Sequence, residues 1–420
     1  MNAILLLPLF FGITLFMYYT AVYLTNNKQN VLGLGLLAYI FIFAILANVF
    51  YYHPYFKDSI HYGTGHTYVS ASIYFYIAYI ILLFPFLKGN CSGFAEVKYS
   101  SKLNHFILLV ALSSIIESFL LIPDAIYGLS HMETDMMGVR EEANESGSIG
   151  SGITSIPVLI YSFFNTVLPM ALFYNLSFGK RRWLLLLSLA IIVTPLLNTM
   201  ATGTRKFMVF PIIDTFVAYL IFFPYLSKKV KRVMNIVLLV IVSIIVIIAI
   251  WMSLLRFVDS RFDNSYWIVK YLGEGFVNFN TLLFDSYDQV IEPCYGDYNM
   301  PFFRQLLGLD YSGSHEIRRE YWGLRLPFPT NIFYTIVGVM VIDWGKLGAI
   351  IFCILIAFFT YKFTKIKKGY IYFSQLILLH FVASMCAKGC FYFAYGSIFG
   401  GRTILYMLIL CFILRFFLRT

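Results

Sequence analysis

The chain has 420 residues, of which 60% are apolar, 19% aromatic and only 12% charged, with a formal net charge of +10. Soluble domains carry about 25% charged residues, so a water-soluble globular protein is excluded and a polytopic, all-α membrane protein is predicted. The basic balance is accounted for by membrane topology and calls for no nucleic acid.

The apolar runs reach the ~20 residues that a bilayer-spanning helix needs. Runs such as Ile236–Ile250 lack the alternation of β-barrel strands. The first run, Ala3–Leu24, has neither a basic leader nor a small-residue cleavage site and reads as a retained helix. Spans are predicted at 3–24, 31–50, 67–87, 105–126, 154–178, 183–199, 207–226, 233–254, 347–361, 370–388 and 403–418. Three segments follow: helices one to eight over 1–254, a large loop over 255–329, and a re-entrant helix with the last three spans over 330–420.

One alternating set of loops holds Lys28; Lys88, Lys98 and Lys102; Lys180, Arg181 and Arg182; Lys228, Lys229, Lys231 and Arg232; Lys362, Lys365, Lys367 and Lys368; and Arg415 and Arg419. These 17 bases face the single acid Glu96. The positive-inside rule assigns this set to the cytoplasm. The amino terminus is then outside and the carboxy terminus inside. The acidic stretch Met132–Glu145, its Gly/Ser-rich end Ser146–Gly152 and the long loop lie outside.

The 74 residues from Arg256 to Pro329 hold seven Lys/Arg, ten Asp/Glu, one His and seventeen aromatics. So aromatic a segment is expected to fold rather than to be a disordered linker. It reads as a lid or platform, one wall of a cavity shared with neighbouring helix ends. Beyond Pro327-Phe-Pro329, the stretch Thr330–Ile342 is predicted as a short re-entrant or interfacial helix that turns at Asp343-Trp344-Gly345. The eleven residues Ile332–Ile342 rise only about 16 Å as a helix, half the hydrocarbon thickness.

Arginines gather at helix ends: Arg205 after Thr202-Gly-Thr204, Arg256 and Arg261 opening the loop, and Arg402 after Gly400-Gly401. Their planar forks suit phosphate oxygens, or they anchor helix ends at the interface. In Gly203-Thr204-Arg205-Lys206 and Gly400-Gly401-Arg402 a glycine precedes a base at a helix mouth, where backbone amides can approach an anion. His315 is the loop's one histidine and a candidate general base. If its segment is helical, His315, Arg318 and Arg319 share a face. Asp343 and Glu274 are alternative bases. Glu117, Asp214 and Lys388 fall within apolar runs, where charge is costly and either paired or functional; a Glu117–Lys388 pair is the structural expectation. His53, His61 and His66 match no metal-ligand spacing, the six cysteines form no disulfide framework, and neither metal nor cofactor is expected.

The spans, Gly203–Arg205, the loop opening at Arg256, and its exit through Pro329-x-Asn331 into Asp343-Trp344-Gly345-x-x-Gly348 resemble the Wzy-type oligosaccharide repeat-unit polymerases. Gly273 falls twelve residues after Arg261, where that family's pattern has eleven. The resemblance implies a GT-C-like, metal-independent membrane glycosyltransferase of the bacterial cytoplasmic membrane, acting in O-antigen (lipopolysaccharide) or capsule assembly. It would move a growing glycan from undecaprenyl diphosphate onto an incoming lipid-linked repeat unit, beside a chain-length-regulating co-polymerase. Arg205, Lys206, Arg256, Arg261, Arg318, Arg319 and Arg402 would hold the diphosphate or substrate, and His315 would take the acceptor proton. An O-antigen ligase, a lipid-linked oligosaccharide flippase and an ion-coupled transporter are the alternatives.

Overall fold

The computed structural model describes residues 3–25, 30–57, 66–88, 94, 96–131, 155–178, 183–204, 206–256, 264–313, 315–330, 332–366 and 369–416. A 3-10 turn, Ala3–Leu5, leads into α1 (Leu6–Leu24), α2 (Val31–Tyr51) and α3 (Val69–Leu87). Strand β1 (Glu96–Lys98) precedes α4 (Ser101–His131), α5 (Ser155–Phe164), α6 (Val167–Ser177), α7 (Leu184–Thr202), α8 (Lys206–Phe222) and α9 (Lys228–Arg256). Then come α10 (Asn264–Asn278), the short α11 (Pro301–Leu306), α12 (His315–Gly323) and α13 (Ile336–Thr364). Strand β2 (Tyr370–Tyr372), α14 (Phe373–Lys388) and α15 (Ile398–Phe416) complete the order. β2 pairs in parallel with β1, Val97 opposite Ile371.

Among the described residues, eight helices are long and apolar enough to cross a membrane, or nine if the bent pair α5–α6 counts as one span. They are apolar around most of their circumference, as helices with no water on their outer face must be. The structure departs from the predicted spans in two places. The 154–178 span is broken, its halves bent by 63°. The 370–388 span begins as β2, leaving a 16-residue helix. The 347–361 span is the second part of the 29-residue α13, whose backbone breaks at Gly345 (φ 73°, ψ 174°).

That break falls in the predicted Asp343–Gly345 turn. A positive φ is a glycine conformation, and a Cβ there would sit 3.3 Å from the Tyr287 hydroxyl. Gly345→Ala is therefore expected to cost about 1–2 kcal/mol, read as a lowered melting temperature of the purified protein. An unchanged melt would show that the break is soft.

The chain forms two compact units. One comprises Met1–Ala95, Ser265–Gly369 and Val382–Leu408; the other Glu96–Asn264, Tyr370–Phe381 and Ile409–Thr420. In the first unit, α10 is sunk into aromatic core. Phe276 meets Phe75 at 4.8 Å and Phe43 at 6.5 Å between ring centroids, and Phe279 meets Phe75 at 5.1 Å. Gly273 and Gly275 make the approach possible: added Cβ atoms would lie 2.7 Å from the Leu46 carbonyl and 2.8 Å from that of Cys390. Asn280 ties the end of α10 to α3, donating to the Tyr68 carbonyl at 2.9 Å and to Ser72 Oγ at 2.8 Å. Within the long polar segment, α10 is thus core helix, not part of a free-standing lid.

In the second unit, α4 lies against α7 through small and hydroxylated residues. Ser114 and Ser118 meet the Thr194 hydroxyl at 2.5 and 2.7 Å. Gly128 lets α4 reach the Met200 carbonyl. Hydroxyls and glycine give close packing where apolar burial supplies no contrast with lipid.

Candidate functional site

In the first unit, α10 to α12 and the break in α13 place several ionisable groups away from water. Glu274 is 6% exposed on α10. Burial pushes its carboxyl up to about 7, and Lys270, one turn earlier, pulls against that shift without cancelling it. A carboxyl poised near neutrality can exchange a proton at working pH.

Asp297 and Asp343 organise the chain between α10 and α12. Asp343 is fully buried and accepts the Asn299 N–H at 3.1 Å, while its own carbonyl accepts the Tyr295 N–H at 2.8 Å. Asp297 accepts the Ser312 N–H at 2.9 Å, the Trp322 indole N–H at 2.8 Å and the Ser312 hydroxyl. Arg318 on α12 is only 2% exposed; its Nη1 donates to the Gly313 carbonyl at 2.7 Å, and its Nε is buried without a partner. Burial lowers this guanidinium from its ordinary value, against the upward pull of Asp297 and Asp343. Nearby, burial and the same two carboxylates push the Cys294 thiol far up, so it is no thiolate nucleophile.

His315 opens α12, so the helix expected around it is present; its side chain lies outside the described residues. Arg318 turns inward and is buried, whereas Arg319 is half-exposed. The spacing i+3 and i+4 from His315 predicts the two on one shared face. Arg402 is exposed on α15. The Gly400 and Gly401 amides beside it are already used, donating to Ser397 Oγ at 2.9 Å and to the Ser397 carbonyl at 2.8 Å. A Cβ on Gly401 would strike Phe302 of α11 at 2.5 Å. Close packing, not anion approach, explains those glycines.

Compared with protein-family models, curated proteins and solved structures, the chain matches none.

Arg205 and Arg261 lie outside the described residues, as do the Arg256 side chain, His61, Met132–Glu145, Ser146–Gly152 and Lys180–Arg182. Lys206 is exposed, its Nζ 4.9 Å from the Phe207 ring centre. Gly203, at φ 59°, terminates α7 in the left-handed conformation usual for a helix end.

In the second unit Glu117 accepts the Asn198 amide N–H at 3.0 Å, and its Oε2 is buried without a partner. Lys388, its expected partner, belongs to the first unit. Asp214 is buried on α8, and its backbone carbonyl lies 2.8 Å from His380 Nε2. Asp297, Asn299 and Trp322 were not singled out by sequence reasoning. Nothing in Gly296-Asp297-Tyr298 separates a loop-organising carboxylate from a solvated one.

Proposed function

We propose that the chain is a metal-independent membrane glycosyltransferase that polymerises lipid-diphosphate-linked oligosaccharide repeat units at the outer face of the bacterial cytoplasmic membrane. In this reading eleven segments cross the bilayer, α5–α6 as one broken span, with the amino terminus outside in a GT-C-like arrangement. Within the first unit, Arg319 and Arg402 are the cations proposed to hold the undecaprenyl-diphosphate donor and to stabilise the leaving diphosphate. Arg318, buried beside Asp297, organises the wall from behind.

The observation that best supports the reading is Glu274, a carboxyl poised near neutrality on a rigid helix within the long polar segment. It takes the proton of the acceptor hydroxyl. His315 is the competing base and Asp343 a structural carboxylate.

A deletion strain examined on a glycan gel tests the function. The expected result is loss of the polymer ladder with single repeat units still attached. Complete loss of attached glycan would assign a ligase, and accumulation of lipid-linked units on the cytoplasmic side would overturn both in favour of a flippase.

A further inference from the structure

Helix α12 carries its charge inward and its apolar side chains outward. Arg318 and Trp322, one turn apart, are 2% and 8% exposed. Ile317, Tyr321 and Leu324 stand at i, i+4 and i+7, within an arc of about 60° on the helix, and are 56%, 40% and 81% exposed. A helix with water on its outer face has the opposite arrangement. The turn that closes α11 repeats the pattern. Leu306, Leu307 and Leu309 are exposed there, while Arg304 is spent on backbone, donating to the Asp310 carbonyl at 2.7 Å and to that of Tyr295 at 3.1 Å. Asp297, shortly before α11, accepts from Trp322 of α12 and so ties the two stretches together.

The depth of this segment follows from α15. A Cβ on Gly401 would lie 2.5 Å from Phe302, so α11 is seated on the first turn of α15. The 19 residues of α15 make about 28 Å of helix, and the hydrocarbon core is about 30 Å thick. The helix needs its whole length to cross, and its first turn marks the edge of the hydrocarbon. Leu306, one turn from Phe302 and about 6 Å along the axis, is therefore within reach of the headgroup layer. Arg325 lies over the Tyr321 ring at 3.5 Å, a pair suited to a membrane boundary, ring towards acyl chains and guanidinium among phosphates. Asp310 and Glu320 are exposed beside Arg319 and Arg325, so apolar insertion holds the segment and anionic lipid is not required. A protein partner needs no particular depth, whereas these side chains stand where the bilayer already is.

We propose that α12 and the turn after α11 lie in the membrane interface, with Ile317, Tyr321 and Leu324 inserted between headgroups and acyl chains. A lipid surface then fixes the outer stripe of α12, as Asp297 fixes the inner one. The placement is independent of any glycan chemistry.

The test uses the full chain carrying Leu324→Trp in phosphatidylcholine nanodiscs, read as the difference from wild type because five native tryptophans also emit. Phosphatidylcholine brominated on its acyl chains is expected to quench most of the added emission, and aqueous iodide little of it. Stronger quenching by iodide than by bromolipid puts α12 in water and overturns the proposal. Shielding from both quenchers means that protein covers the stripe, a second copy if dilution to one chain per disc exposes it, and overturns the proposal likewise. Leu307→Trp, in the turn after α11, carries the same expectation and serves should Leu324→Trp fail to fold.

Discussion

Replacing Glu274 with glutamine is expected to abolish polymer formation while making the protein more stable above neutral pH. The two effects have one cause. The carboxyl's value in the folded protein, about 7, lies above its ordinary 4.5 because burial penalises the charged form. Below 4.5 the group is protonated folded or unfolded and costs nothing. As pH rises towards 7 the unfolded chain ionises first, so folding is penalised increasingly, and above 7 the penalty is complete. A shift of this size corresponds to roughly 3 kcal/mol. Glutamine never ionises, so the melting temperature of Glu274→Gln should lose that pH dependence and exceed wild type at alkaline pH. Loss of a general base costs about 100-fold or more in rate, measured as incorporation of lipid-linked repeat units into polymer. A variant that is stabilised and fully active would make Glu274 a structural carboxyl and return the base to His315. His315→Ala with unaltered chain length would remove that candidate in turn.

Asp297→Ala is expected to be the most damaging substitution in the long polar segment. It strips the Trp322 indole and the Ser312 amide of their acceptor and removes the nearer-acting of the two carboxylates that support buried Arg318. Each orphaned buried donor costs about 1–3 kcal/mol, and a buried charge left without compensation about 3–5 kcal/mol. Together these should release α12 from its seat. Limited proteolysis reads the outcome: new cuts between Ser312 and Leu326, with α13 still protected. The double variant Asp297→Ala/Arg318→Met should recover part of the loss, because it removes the unpaired charge as well. A single variant as protease-resistant as wild type would mean that Asp297 does not hold this segment.

The membrane character was legible because it rests on additive properties. Apolar length and low charge need no tertiary information, and most predicted spans coincide with helices in the structure. Predictions failed where packing overrides local pattern. The 154–178 run reads as one continuous span, yet its halves meet at 63°, for a Pro at 169 weakens a helix without dictating an angle. Tyr370–Tyr372 is apolar enough for helix, but pairing with Glu96–Lys98 makes it a strand, a partner 274 residues away that no local window contains. Gly345 is the reverse case. Asp-Trp-Gly at the end of a run too short to span is a local stop signal, and the break lies there.

The candidate site divides in the same way. Sequence alone determined that ionisable and aromatic residues concentrate between Arg256 and Pro329, that Glu274 and Arg318 are among them with Asp343 beyond, and that Glu117 and Asp214 sit in apolar helices, since each follows from residue identity and spacing. Only the tertiary structure decided which of these charges lose their water. Glu274 is drawn into core because two glycines let its helix touch neighbouring backbone; Arg318 turns inward beside Asp297; Asp214 is buried on α8 with its carbonyl against His380. Desolvation depends on what packs around a group from distant parts of the chain, so its effect on a carboxyl or guanidinium cannot be read from neighbours in sequence.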